Sequence, residues 1–161
     1  MNLDSIKTIV FDFDGIFTDN FVYVDSRGVE SVRCSREDSL GLDLLKREIT
    51  KKSLPIRMLI LSTETNELVS LRAKKLKIDS FTGILDKASF LTENFEKING
   101  QIPGLVYLGN DINDLEAMKL AEFSVAPISA HKQIREMAST IISRNGGDGF
   151  IRSFCELLIN S

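Results

Sequence analysis

The hydrophobic positions of this chain come in two alternating kinds: short, nearly continuous apolar runs, and longer stretches with helical spacing. Ile6 to Phe11 and Ile56 to Leu61 are compact apolar runs, the second introduced by Pro55, and each predicts a buried strand. LVYLG at 105–109, FSVAP at 123–127 and TIIS at 140–143 predict three more. Between them, Leu40, Leu42, Leu44, Leu45 and Ile49 fit a helix, and a second runs from Asn66 to Leu76 with Leu68, Leu71 and Leu76 leaning to one side. Helices are also predicted near Ala88–Ile98, Asn113–Ala121 and His131–Ala138, and from Phe150 onward after the break GGDG. Phe21–Val24 and Val29–Arg33 flank the turn-forming DSRG and predict a hairpin. Strands that alternate with helices imply parallel βαβ units with helices on both faces. The expected fold is therefore an α/β, Rossmann-like doubly wound parallel sheet with one β-hairpin inserted early. No repeat, linker or low-complexity segment interrupts it, so residues 1–161 are expected to form one domain.

Charge and cysteine content narrow the function classes. A formal charge of -3 gives no basic footprint for nucleic acid, and no apolar run approaches the about 20 residues of a membrane helix. Cys34 and Cys155 lie far apart, and no basic-plus-apolar leader segment is visible, so both read as reduced thiols of a cytoplasmic protein. His131 is the sole histidine, at a predicted helix start, and suits capping better than catalysis; no Cys/His cluster has zinc spacing. Of the ten phenylalanines, Phe11, Phe90, Phe95 and Phe154 sit in apolar patterns and read as core.

The chemistry concentrates at strand ends. In open α/β sheets ligands bind outside the carboxyl ends of the strands. VFDFDGIFTD ends the first strand with Asp12 and Asp14, and Gly15 lets the chain turn away; alone, DxDG is also compatible with a plain turn or helix cap. ILSTE ends another strand in Ser62 and Thr63, directly before a helix, where hydroxyl and backbone N–H groups can hold an anion. Lys87 in GILDK opens the next helix against the macrodipole preference, which an acidic or phosphate partner explains. LGNDIND then supplies Asn110, Asp111 and Asp114, oxygen ligands of the kind Mg2+ prefers.

An acid pair, hydroxyls, a lysine and an acid cluster, in that order, resemble the haloacid dehalogenase superfamily of phosphatases. The segments FDFDGIFTD, REDSLGLDLLK, ILSTETNELVSLRAKKLKI, GILDK, YLGNDINDLEAM, SVAPISA and RNGGDGFIR extend the resemblance over nearly the whole chain. They are similar to its cap-less branch, which acts on 3-deoxy-octulosonate 8-phosphate or nonulosonate 9-phosphate and includes the phosphatase-like domain of acylneuraminate cytidylyltransferases. The resemblance implies Asp12 as nucleophile, Asp14 as acid/base, Ser62 as the second-motif hydroxyl and Lys87 as the positive charge that admits a phosphate dianion. It further implies Mg2+ held by Asp12, Asp14, Asn110 and Asp111, with Asp114 matching the last acid of the family's usual GDxxND. Asn110 departs from that pattern: it stands where most relatives carry an aspartate, which removes one negative charge from the metal site.

For the substrate, the resemblance points to Thr63, Glu64, Arg72 and Lys75. Octulosonate enzymes carry TGR after the second motif, whereas this chain has STE, and Glu64 with Lys75 looks like the nonulosonate arrangement. Arg72 offers a guanidinium able to clamp a carboxylate. Asp38 and Ser39 also look more like that branch. A nonulosonate (sialic-acid or KDN type) 9-phosphate is thus the first expectation. Octulosonate 8-phosphate is the alternative, as is a catalytically weak oligomerisation domain partnering a cytidylyltransferase. In relatives the hairpin builds a tetramer, so a homotetramer is expected; the alternating Phe21, Tyr23 and Val29 of a marginal two-stranded hairpin ask for such cover.

Overall fold

The computed structural model describes residues Met1–Ser161. In chain order the elements are β1 (Thr8–Phe11), β2 (Thr18–Val24), β3 (Glu30–Cys34), α1 (Arg36–Lys51), β4 (Arg57–Leu61), α2 (Glu67–Leu76), β5 (Asp79–Phe81), α3 (Lys87–Asn94), β6 (Ile102–Leu108), α4 (Leu115–Leu120), β7 (Ala121–Pro127), α5 (Lys132–Met137), β8 (Thr140–Ile142) and α6 (Phe150–Ile159). Six strands form a parallel sheet in the order β5-β4-β1-β6-β7-β8, and β2 with β3 forms a separate antiparallel ribbon. The doubly wound α/β fold with an inserted hairpin and no larger insertion is what the hydrophobic pattern predicts.

Period-two alternation explains why the central strands are apolar throughout. Ile9 and Phe11 pack with α1, α2 and α6 in one core cluster, while Val10 between them joins α3, α4 and α5 in the other. A strand covered on both faces has no solvent side on which to place polar residues. The helices follow the same logic: α1 buries Leu42, Leu45 and Ile49 at a spacing of three to four and leaves Leu40 exposed. On α2 the buried face is Val69, Ala73 and Leu76, not the expected Leu68 and Leu71; Leu71 is 60% exposed. Leucine alone misidentified the face, because Val69 and Ala73 fit closer to the sheet. Phe11 and Phe154 are fully buried, whereas Phe90 and Phe95 are half-buried at the margin of the second cluster.

The topology creates the site. From β1 the chain passes to β4 and β5 on one side, then crosses to β6, β7 and β8 on the other. Strand order therefore reverses at β1, and the loops after β1, β4 and β6 splay around a crevice. No helix is long and apolar enough to cross a membrane.

Candidate active site

Asp12 follows the last residue of β1, and its N–H donates to Leu108 O at 2.9 Å, so the sheet ladder itself fixes the start of the loop. Gly15 then turns the chain with φ 78°, and a Cβ there would lie 2.0 Å from the Asn110 amide. The DxDG turn and the end of β6 can pack this closely only with glycine. Thr18, buried, accepts from Gly15 N at 3.1 Å and reaches Asp14 Oδ1 at 3.4 Å, orienting the second carboxylate.

Three elements converge beneath Asp12. Lys87 Nζ, at the first turn of α3, donates to Asp12 Oδ1 at 2.6 Å and to Asp114 Oδ1 at 2.7 Å. All three side chains are buried, Lys87 to 1% exposure. Asp114 is saturated: Tyr107 Oη donates to its Oδ1 at 2.9 Å, and the N–H groups of Asn110 and Asp111 reach its Oδ2 at 3.0 and 3.4 Å. An ionised carboxylate can remain in the interior only when so partnered. Ser62, also buried, accepts from Glu64 N at 3.1 Å and shapes the turn after β4.

This environment shifts the proton affinities of the groups at the site. Burial, then the charge of Asp114, push the Asp12 carboxyl up to about 7, while Lys87 pulls it back. Burial alone would lower the Lys87 ammonium, but Asp12 and then Asp114 outweigh it and hold it protonated. Asp14 is raised by burial first and by Glu64 second, which favours the protonated acid.

Above this floor lies a cavity of about 330 Å³ lined by Asp12, Asp14, Thr63, Glu64, Asn110 and Asp111, together with Glu30 and Phe21 of the hairpin and Asn66 and Val69 at the start of α2. Five acids line it (Asp12, Asp14, Glu30, Glu64, Asp111) and no lysine or arginine does. Asn110 Oδ1 is buried without a hydrogen-bond partner. No group of three or more His, Cys, Asp or Glu side chains gathers at metal-binding spacing. The available set is instead oxygen from Asp12, the Asn110 amide and main chain, which suits a hard cation such as Mg2+ that keeps several waters. Asp111 is exposed, and its side chain accepts from Ile112 N at 2.7 Å at the cavity rim.

The remaining expected residues sit elsewhere. Arg72, one turn beyond Leu68 and Val69, donates to Ser39 Oγ at 2.6 Å and Ser35 O at 3.2 Å; it ties α2 to α1 and does not line the cavity. Lys75 is exposed on the far turns of α2 and also lies outside it. Sequence reasoning missed Asn20, Glu30, Asn66 and Tyr107. Asn66 Nδ2 donates to Glu30 Oε2 at 3.1 Å, which closes the hairpin onto α2. The signal for Glu30 was its place at the end of an inserted hairpin; Tyr107 gave none, because inside LVYLG it reads as core. His131 is an exposed cap that accepts from Gln133 N, and its own N–H donates to Asn110 O at 2.8 Å.

The family described as haloacid dehalogenase-like hydrolase matches residues 60–153. The chain belongs to it. Within that family its neighbours lie in the cap-less octulosonate phosphatase-type branch. It is 27% identical to the 3-deoxy-D-manno-octulosonate 8-phosphate phosphatase KdsC of Yersinia pestis over 96% of this chain and 80% of that one. The octulosonate 8-phosphate phosphatase of Moraxella catarrhalis, crystallised with magnesium, phosphate and KDO, superposes with a TM-score of 0.86 at 30% identity, covering 98% of this chain and 88% of that one. A structure from Streptomyces avermitilis, assigned to the same HAD family of hydrolases, has a TM-score of 0.84 at 37% identity over 99% and 88% of the two chains.

Proposed function

We propose that this haloacid dehalogenase phosphatase hydrolyses an 8-phosphorylated 3-deoxy-octulosonate through an aspartyl-phosphate on Asp12, with Mg2+ as cofactor. The observation that carries the reading is Lys87 clamped between Asp12 and Asp114 at the floor of an acidic cavity. A buried lysine held there lets a phosphate dianion approach a carboxylate. The Asp12 carboxylate attacks phosphorus in line, and the bond from phosphorus to the sugar oxygen breaks. Asp14, whose proton affinity is raised by burial and by Glu64, gives its proton to that leaving oxygen. The resulting carboxylate then takes a proton from a water that attacks phosphorus, releasing phosphate and restoring Asp12. Lys87 retains Asp114 as a counter-ion while Asp12 is esterified. Asp12, the main-chain carbonyl of Asp14, and Asn110 are the groups that would hold Mg2+, with Asp111 at the rim; bound there, the ion offsets phosphate charge in a cavity with no cationic wall.

Two findings support the eight-carbon acid over the nine-carbon acid expected from sequence. Two of the three relatives named above are octulosonate 8-phosphate phosphatases, and Lys75 stands outside the cavity that Glu64 lines, which argues against a substrate-binding pair of the two. Glu64 in the cavity wall favours the second reading, a nonulosonate 9-phosphate. The cavity volume lies in the range of small-molecule sites. Assembly belongs to the proposal too: Phe21, Tyr23, Val24 and Val29 of the hairpin are exposed, which supports a homotetramer built through that ribbon.

Phosphate release with Mg2+ from both substrates decides. The expected result is a kcat/KM for octulosonate 8-phosphate about ten-fold or more above that for the 9-phosphate. The reverse ratio would select the nonulosonate reading, and no turnover of either by the folded protein would contradict the phosphatase.

A further inference from the structure

Tyr107 is a buried titratable group for which the mechanism above has no use. It lies within β6, fully buried among the second core cluster, on the side of the sheet that carries α3 and α4. A buried tyrosine hydroxyl needs a partner, and β6 is paired on both edges, so its main-chain carbonyls serve the sheet. The Tyr107 hydroxyl donates at 2.9 Å to Asp114 Oδ1, the same oxygen that accepts Lys87 Nζ at 2.7 Å. The other Asp114 oxygen is taken by two main-chain N–H groups, so Tyr107 is the only side chain besides Lys87 that hydrogen-bonds this carboxylate.

We propose that Tyr107 is a positioning residue for catalysis: by sharing Asp114 Oδ1 with Lys87, it limits the pull of Asp114 on the ammonium and keeps Lys87 bridged to Asp12. The physical basis is competition at one oxygen. Two donors on a carboxylate oxygen divide its electron density, and each bond weakens when the other is present. With the phenol in place, Lys87 can lean toward Asp12, where the phosphoryl group arrives. Without it, Asp114 holds the ammonium more tightly, and the charge needed against the developing phosphoryl oxygens is drawn away from Asp12. Burial, followed by the nearby Asp114 and Asp12 charges, raises the phenol well above its ordinary range, so it remains a donor at every working pH. Such a role predicts a defect in the chemical step with little effect on substrate capture, because Tyr107 does not line the cavity.

The inference rests on Asp12 being the phosphorylated nucleophile, but not on which sugar is the substrate. The test therefore uses a generic aryl phosphate monoester with Mg2+. Tyr107→Phe is expected to lower kcat about ten-fold, the scale of one charge-assisted hydrogen bond, with KM changed by less than about two-fold. In an Asp114→Asn background the same change should cost less than about two-fold, because the shared oxygen has lost its charge. A kcat near wild type, or an equal loss in both backgrounds, would overturn the proposal and leave Tyr107 as packing.

A second measurement covers variants that fail to fold and a wild-type protein without activity. The chain has two tyrosines, Tyr23 and Tyr107, so fluorotyrosine in a Tyr23→Phe protein gives one fluorine resonance, from position 107. That resonance should move on Asp12→Asn, through Lys87 and Asp114. An unchanged resonance would overturn the coupling, whereas absent turnover with a moving resonance would count against the phosphatase reading alone.

Discussion

Two carboxylates two residues apart stand in different surroundings, which suit them to the different duties proposed. Asp12 is 5% exposed and ion-paired with Lys87, while Asp14 is half-buried, bonded to Thr18 and faces Glu64. An acid that must arrive protonated benefits from burial and a neighbouring negative charge, and Asp14 has both. The sign of a Glu64 substitution follows. Removing its charge lowers the Asp14 proton affinity, so Asp14 ionises earlier as pH rises. Glu64→Gln should move the basic limb of the kcat profile to lower pH, measured by phosphate release across pH at saturating substrate; a limb that stays put or moves up would remove Glu64 from the account. Among single residues, the strand-end acids, Ser62 and Lys87 were legible because short polar residues at the close of apolar runs have few structural reasons to be there. Arg72 and Lys75, expected to meet substrate, lie beyond the single turn of α2 that lines the cavity, a distinction the helical pattern alone does not report.

At the scale of elements, the loop that carries Asp12 and Asp14 is held from behind by the segment before α6. Gly147 N donates to Ile16 O at 3.1 Å, and a Cβ on Gly146 would stand 1.8 Å from Gly15 O. That segment is anchored in turn by α1: Asp38 Oδ1 accepts from Arg152 N at 2.9 Å and caps α6, whose own N-cap, Gly149, has no side chain to do so. Gly146→Ala should therefore displace the turn carrying Asp14, lowering kcat more than ten-fold and destabilising the fold by about 1–3 kcal/mol, the scale of an overpacked interior site. Thermal melts and phosphate release check both parts. The sequence marked GGDG only as a break between elements. Its contacts with the DxDG turn, Gly147 to Ile16 and Gly146 to Gly15, each join residues 131 positions apart, which no local pattern reports. Longer elements were legible from their periodicity, but β5 was missed: three residues, Asp79–Phe81, carry too short a pattern. The first half of β6 was hidden by Pro103 and Gly104, residues that argue against a strand where the pairing with β7 shifts register.

For the whole molecule, the sheet supplies the floor of the site and the hairpin supplies one wall. Phe21 and Glu30 line the cavity while Tyr23, Val24 and Val29 extend outward on a ribbon that pairs only with itself. If the ribbon builds the proposed tetramer, replacing Phe21 and Tyr23 with serine should give smaller species than the unsubstituted protein in sedimentation experiments and lower activity; an unchanged sedimentation profile would take the ribbon out of assembly. The central claim is that Asp12 becomes phosphorylated, and the most direct measurement is chemical trapping during turnover. Quenching the Mg2+-loaded protein with octulosonate 8-phosphate, reducing the acyl phosphate with borohydride and mapping peptides should find residue 12 converted to homoserine, with no such product in Asp12→Asn. Turnover with no modification at residue 12, or unaltered turnover in Asp12→Asn, would contradict the account.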